Sequence, residues 1–130
     1  MIGIVIVAHG GLAAEYLAAV EHVVGPVKQA RAIAIAAEFD RERKAAEILQ
    51  AAEDVDTGDG VIVVVDMFGS SPSNLSLPAC SRQNRKILYG ANLPMLVKLA
   101  KSRQMGMDEA SAAAMAAGRK YIDCIDGKPV

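Results

Sequence analysis

Two cysteines in 130 residues, Cys80 and Cys124, stand in neither a CxxC nor a metal-ligand spacing, which excludes a disulfide framework and a cysteine metal site. They read as reduced thiols packed as small hydrophobes in a cytoplasmic protein. The formal charge of −1 gives no general pull toward nucleic acid or an anionic membrane. The N-terminus lacks the basic n-region of a signal peptide, and its apolar run is too short to span a bilayer. A GxxxxGK[ST] phosphate loop is missing as well, so neither nucleotide nor metal cofactor is expected. There is no internal repeat, low-complexity tract or long linker. What remains is a chain 52% hydrophobic and 22% charged, fit for one compact domain over residues 1–130. A chain of this length buries roughly two-thirds of its unfolded surface without covalent staples.

The most informative stretch runs from Val61 to Asn74. Val61-Ile62-Val63-Val64-Val65 is an apolar β-branched run, the pattern of a central parallel strand buried on both faces. It stops at Asp66. A small-residue turn follows, and then Ser71-Pro72, a hydroxyl at the predicted helix N-cap with proline at the first helical position. Met1-Ile2-Gly3-Ile4-Val5-Ile6-Val7 is a second buried strand, ending at Ala8-His9-Gly10-Gly11. From Leu12, apolar residues Tyr16, Leu17, Val20 and Val24 recur at helical spacing until Gly25-Pro26 stops the helix. His22 falls on its wet side.

Arg31–Ala36 reads as a weaker, edge-like strand, followed by a helix that Asp40 can cap and that buries Ala45, Ile48, Leu49, Ala52 and Val55. Glu38 and Asp40 read as solvated or capping. Beyond Asn74, Pro78 predicts a kink or an early helix end. Lys86–Gly90 is a fourth strand, and Ala91-Asn92-Leu93-Pro94 opens a helix that Gly106 is expected to end. Asp108 is expected to cap the alanine-rich helix after it, and Lys120–Ile125 is a candidate last strand.

The alternation predicts an open α/β sheet with right-handed crossovers. In a flavodoxin-like order, 2-1-3-4, the first and third strands are neighbours and ligands bind beyond their C-terminal ends. His9 and Asp66 lie at those two ends. A neutral imidazole, with an ordinary pKa of about 6.5, is a nucleophile at neutral pH, and a carboxylate on one ring nitrogen turns the other's lone pair outward. Backbone N–H groups of Gly10 and Gly11, and of Ser70, Ser71 and Ser73 with the Ser71 hydroxyl, are candidates to hold phosphoryl oxygens.

These blocks, Ile4–Gly10, Val65–Asn74 and Gly90–Leu96, resemble the EIIA component of the mannose family of the bacterial phosphoenolpyruvate-dependent sugar phosphotransferase system. The resemblance covers nearly the whole chain. It implies a phosphotransferase with a phosphohistidine intermediate: His9 takes a phosphoryl group from HPr and passes it to an EIIB domain, Asp66 holds the imidazole, and Ser71 helps bind the phosphoryl group. It also implies a homodimer in which a C-terminal strand, about Tyr121 to Ile125, crosses to the partner, and contact with the membrane only through a permease complex. With Val130 as the last residue, EIIB is expected as a separate chain. Met67, Phe68, Leu93 and Met95 are candidates to ring the crevice for transient docking of a carrier protein. Two departures from the family pattern are Ser73, where an aromatic residue is commoner, and Pro78.

Three alternatives stand beside this reading. The phosphocarrier subunit of a dihydroxyacetone kinase is similar around the histidine but lacks the Ser-Pro-x-Asn found here. A response-regulator receiver needs paired carboxylates after the first strand, where this chain has Ala8-His9. A non-catalytic module sensing a phosphorylated metabolite would bind reversibly without covalent change at His9.

Overall fold

The computed structural model describes residues 1–67, 69–82 and 84–128. Its elements follow the chain as β1 (Gly3–His9), α1 (Leu12–Val24), β2 (Ala30–Ile35), α2 (Arg41–Val55), β3 (Val61–Val65), α3 (Ser71–Ser76), a 3-10 turn (Pro78–Cys80), β4 (Arg85–Leu88), α4 (Leu93–Lys101) and α5 (Met107–Lys120). The strands form one parallel sheet in the order β2-β1-β3-β4, the flavodoxin-like order that the alternation predicts. Among the described residues, no helix is long and apolar enough to cross a membrane.

Every residue of β3 is buried, as are Gly3 to Ala8 of β1, because helices cover both faces of the sheet. Ile4, Ile6, Ile62 and Val64 point to one side and pack with Val20, Leu96, Leu99 and Ala114 of α1, α4 and α5. Val5, Val7, Val63 and Val65 point to the other and pack with Ile48, Ala52 and Leu75 of α2 and α3. This two-sided burial is why both strands read as unbroken apolar runs rather than as alternating ones. On the second side Arg85 is buried and donates to the Ala79 carbonyl at 3.0 Å and to Asp56 at 3.1 Å, which ties the 3-10 turn to the end of α2.

Several expectations about element ends are corrected. Ser70, not Ser71, occupies the N-cap of α3, with Ser71 and Pro72 inside the first turn. The helix stops at Ser76, just before Pro78, as the missing proline N–H requires. α4 ends at Lys101 rather than at Gly106, and Gly106 instead precedes α5. Asp108 therefore lies inside the first turn of α5 and pairs with Lys86 at 2.9 Å. Asp40 caps α2 as predicted, accepting from the Arg43 N–H at 3.0 Å. The expected last strand does not form within one copy: α5 continues to Lys120, and Tyr121, Ile122 and Ile125 stand exposed beyond it. A strand needs a partner edge, and among the described residues this segment pairs with no strand of the sheet.

The cysteines separate. Cys80 is half-buried, and burial pushes its thiol up to about 11 against the opposing pull of Arg85; Cys124 is exposed, so the packed-hydrophobe reading holds for Cys80 alone.

Gly3 opens β1 hard against the end of α2. A Cβ built there would sit 2.4 Å from the Val55 carbonyl oxygen and 2.6 Å from a Val55 methyl. Since a backbone oxygen cannot step aside as a flexible side chain can, Gly3→Ala is expected to destabilise the fold by about 1–3 kcal/mol, in the range of overpacked cores. Urea unfolding of the two proteins measures it.

Candidate functional site

β1 and β3 run side by side with Val7 opposite Val65, so the chain leaves both strands at the same edge of the sheet. His9 is the last residue of β1 and Asp66 the first after β3. Their side chains meet: His9 Nδ1 lies 2.7 Å from Asp66 Oδ2, and the His9 backbone N–H donates to the same oxygen at 3.0 Å. The other carboxylate oxygen accepts from the Met67 N–H at 2.9 Å. Gly10 adopts φ +56° immediately after the histidine, a left-handed turn that glycine makes without Cβ strain, and it swings the chain into α1.

Burial pushes the Asp66 carboxyl up, but the His9 backbone N–H, the His9 ring with its charge, and the Met67 N–H together outweigh it and hold the group below the ordinary carboxylate range. Asp66 is therefore ionised near neutrality and can only accept. The proton between the two groups must then sit on Nδ1, which leaves the Nε2 lone pair directed away from Asp66. The carboxylate side chain is 12% exposed and the imidazole 51%. One partner is clamped, and the other faces solvent.

The candidate phosphoryl-binding residues divide. Gly11 is exposed and takes the N-cap position of α1, where the first N–H groups have no side-chain cap. Gly10 N–H is already spent, donating to the Ile35 carbonyl at 2.9 Å as an extension of the β1–β2 ladder; that use depends on a distant strand and could not be read locally. Ser70 Oγ donates to the Met67 carbonyl at 2.7 Å, closing the turn that aims α3. Ser71 is half-buried at the mouth of that helix. Ser73 lies in the first turn of α3 and is only 3% exposed.

Of the candidate docking residues, Met67 is 57% exposed and Leu93 36%. Met95 is corrected, for it belongs to the core, packed on the α1 side of the sheet. Two residues along a helix reverse the direction of a side chain, and Leu93 took the outward position. Phe68 lies outside the described residues. Leu12, 39% exposed at the start of α1, is an exposed apolar residue that the sequence analysis did not single out. Among the described residues, no group of three or more His, Cys, Asp or Glu could hold a metal ion.

Similar proteins carry the same arrangement of elements. The EIIA-man family model, described as "PTS system fructose IIA component", matches residues 3–117. The PTS system mannose-specific EIIAB component of Escherichia coli (strain K12) is 30% identical over 132 aligned positions, which take in 99% of this chain and 41% of that protein. The chain thus spans well under half the length of this relative. The crystal structure of phosphotransferase system component EIIA from Streptococcus agalactiae superposes with a TM-score of 0.84 at 25% identity, over 95% of this chain and 97% of that one. The mannose/sorbose specific IIA subunit from Enterococcus faecalis superposes with a TM-score of 0.85 at 24% identity, over 99% and 98% of the two chains, and speaks for the fold.

Because the folded carboxyl of Asp66 titrates below its ordinary value of 3.8, it adds stability that is complete above the unfolded pKa and is lost as pH falls through the lower folded one. Asp66→Asn is expected to lose stability at pH 7, and the gap to wild type should close below about pH 4. Urea titrations at a series of pH values check this; a constant gap down to pH 2.5 would contradict the ionised pair.

Proposed function

The chain belongs to the EIIA-man family of phosphotransferase-system IIA components, and from that premise we propose that it is a phosphohistidine carrier, with His9 accepting a phosphoryl group from HPr and delivering it to an EIIB domain. The observation that carries this reading is the His9–Asp66 contact of 2.7 Å on a half-exposed imidazole. In the forward step the Nε2 lone pair of His9 attacks phosphorus, and the bond from phosphorus to the donor's ring nitrogen breaks with its electron pair returning to that ring. Nδ1 keeps its proton throughout. The ring gains positive character as the new bond forms, and the adjacent carboxylate offsets it. N–H groups at the uncapped start of α1 and the Ser71 hydroxyl are the groups we assign to the phosphoryl oxygens, in keeping with a reaction that depends on positioning and charge stabilisation.

Docking is assigned to the rim around His9. Leu12, Met67 and Leu93 supply scattered apolar surface there, suited to a carrier that must bind and leave. We assign the chain to the cytoplasm as a single EIIA-type domain that serves sugar uptake or a regulatory phosphorelay and meets a membrane only through a permease complex.

A homodimer belongs to the same proposal. β4 is the outer strand of the sheet, with one edge unpaired among the described residues, and an apolar groove of about 450 Å³ is lined by Ile87, Leu88, Met95, Met115 and this chain's own Ile122. The exposed segment from Tyr121 to Ile125 offers a strand of matching chemistry from a second copy.

Intact mass after incubation with phosphoenolpyruvate, enzyme I and HPr tests the carrier. Wild type is expected to gain one acid-labile phosphoryl group, and His9→Ala none. Wild type unchanged in mass, with HPr confirmed phosphorylated, would overturn the reading in favour of a reversible binding module or another phosphoryl donor.

A further inference from the structure

We propose that Asn92 is a positioning residue for His9, tying the end of α5 to the loop that backs the His9–Asp66 pair; the role in transfer rests on the carrier reading above. The loop from Tyr89 to Asn92 joins β4 to α4 and is pinned on three sides. The Ala91 N–H donates to the carbonyl of Val65 at 3.0 Å, at the residue just before Asp66. The Ala91 carbonyl accepts from the Tyr16 hydroxyl at 3.0 Å, on the helix that starts just beyond His9. The end of β3 that leads to Asp66 and the helix that follows His9 are thereby fastened to one residue.

Asn92 supplies the third pin. Its Oδ1 accepts from the Met95 N–H at 3.0 Å, capping α4, while its Nδ2 donates to the Gly118 carbonyl of α5 at 3.1 Å and leans on the Gly90 carbonyl at 3.4 Å. The orientation follows from the partners: a flipped amide would set oxygen against two carbonyls and nitrogen against an N–H. Serine, threonine or aspartate would cap α4 as well as asparagine does. Only a carboxamide caps and also donates across to a second helix.

Gly118 makes that reach feasible. A Cβ on it would lie 3.1 Å from Met95 Cβ and 3.3 Å from Asn92 Nδ2, so a side chain there would crowd the bridge and glycine leaves it room. The bridge therefore connects the last turn of α5, from which Tyr121 and the exposed segment depart, to the loop behind Asp66. Displacing α5's end displaces the frame that orients the imidazole.

Asn92→Ser keeps the cap and removes the bridge, and Tyr16→Phe removes the pin on the other side. Three readouts are needed: steady-state phosphoryl transfer from phospho-HPr, the imidazole ¹⁵N signals of His9 in unphosphorylated protein, and Tm. Each variant is expected to lower kcat about three- to tenfold with KM unchanged, as small misplacements of a reacting group do, and to shift the ¹⁵N signals. The double variant should lose less than the product of the single losses, since both act through the same loop. Wild-type kcat and ¹⁵N signals in Asn92→Ser would overturn the proposal, and a fall in Tm alone would assign the residue to the fold. If Asn92→Ser does not fold, Asn92→Asp, which keeps the cap and turns a carboxylate on the Gly118 carbonyl, is read by the same criteria. Should wild type accept nothing from HPr, the carrier reading falls, and the ¹⁵N signals still decide whether Asn92 sets the ring's frame.

Discussion

Everything at the site depends on the parallel pairing of β1 with β3, from Gly3 opposite Val61 to Val7 opposite Val65. A slip of one residue would turn Ile62 and Val64 toward the side now filled by α2, and Val63 and Val65 toward α1, so two-sided burial resists it. A slip of two would preserve the faces but carry Asp66 about 6.6 Å along the strand, at roughly 3.3 Å per residue, out of reach of the imidazole. The register is therefore held by more than hydrophobic alternation. Gly3 lodged against Val55 at one end and the Asp66 bond to the His9 N–H at the other fix it from both sides.

The His9–Asp66 pair is marked by an asymmetry of surroundings. Asp66 has three donors directed at it from two neighbouring segments and little water, whereas His9 keeps half its ring in solvent. A carboxylate left in water would exert a weaker field on the ring. An imidazole as covered as the carboxylate would meet no partner protein. Placing one residue inside the strand end and the other just over it gives both conditions, with the ring and the backbone N–H of His9 both bonded to one carboxylate oxygen.

Much of this was legible because it rests on local pattern. Two apolar runs ending in His9 and Asp66 stated the central strands, and the β-α alternation stated the order that makes their ends adjacent. What escaped depended on distant partners or on phase. The Gly10 N–H belongs to the β2 ladder through Ile35, and nothing near Gly10 says so. Met95 and Leu93 differ only in the phase of α4, which Asn92 sets by capping at that point and not a residue later. The burial of Ser73 has a similar origin, since the cap proved to be Ser70 and the following turn rotated accordingly. The C-terminal residues have the composition of a strand, but strand is a property of two edges, and Tyr121 to Ile125 pair with none of the four strands of the sheet.

The openness of the imidazole has a consequence for the proposed carrier role. A phosphoryl group on a ring that is half in water would stand where water can attack it. Under that proposal the loaded form is short-lived, and its output is a contest between hydrolysis and the next encounter with an acceptor, which makes it a relay and not a store.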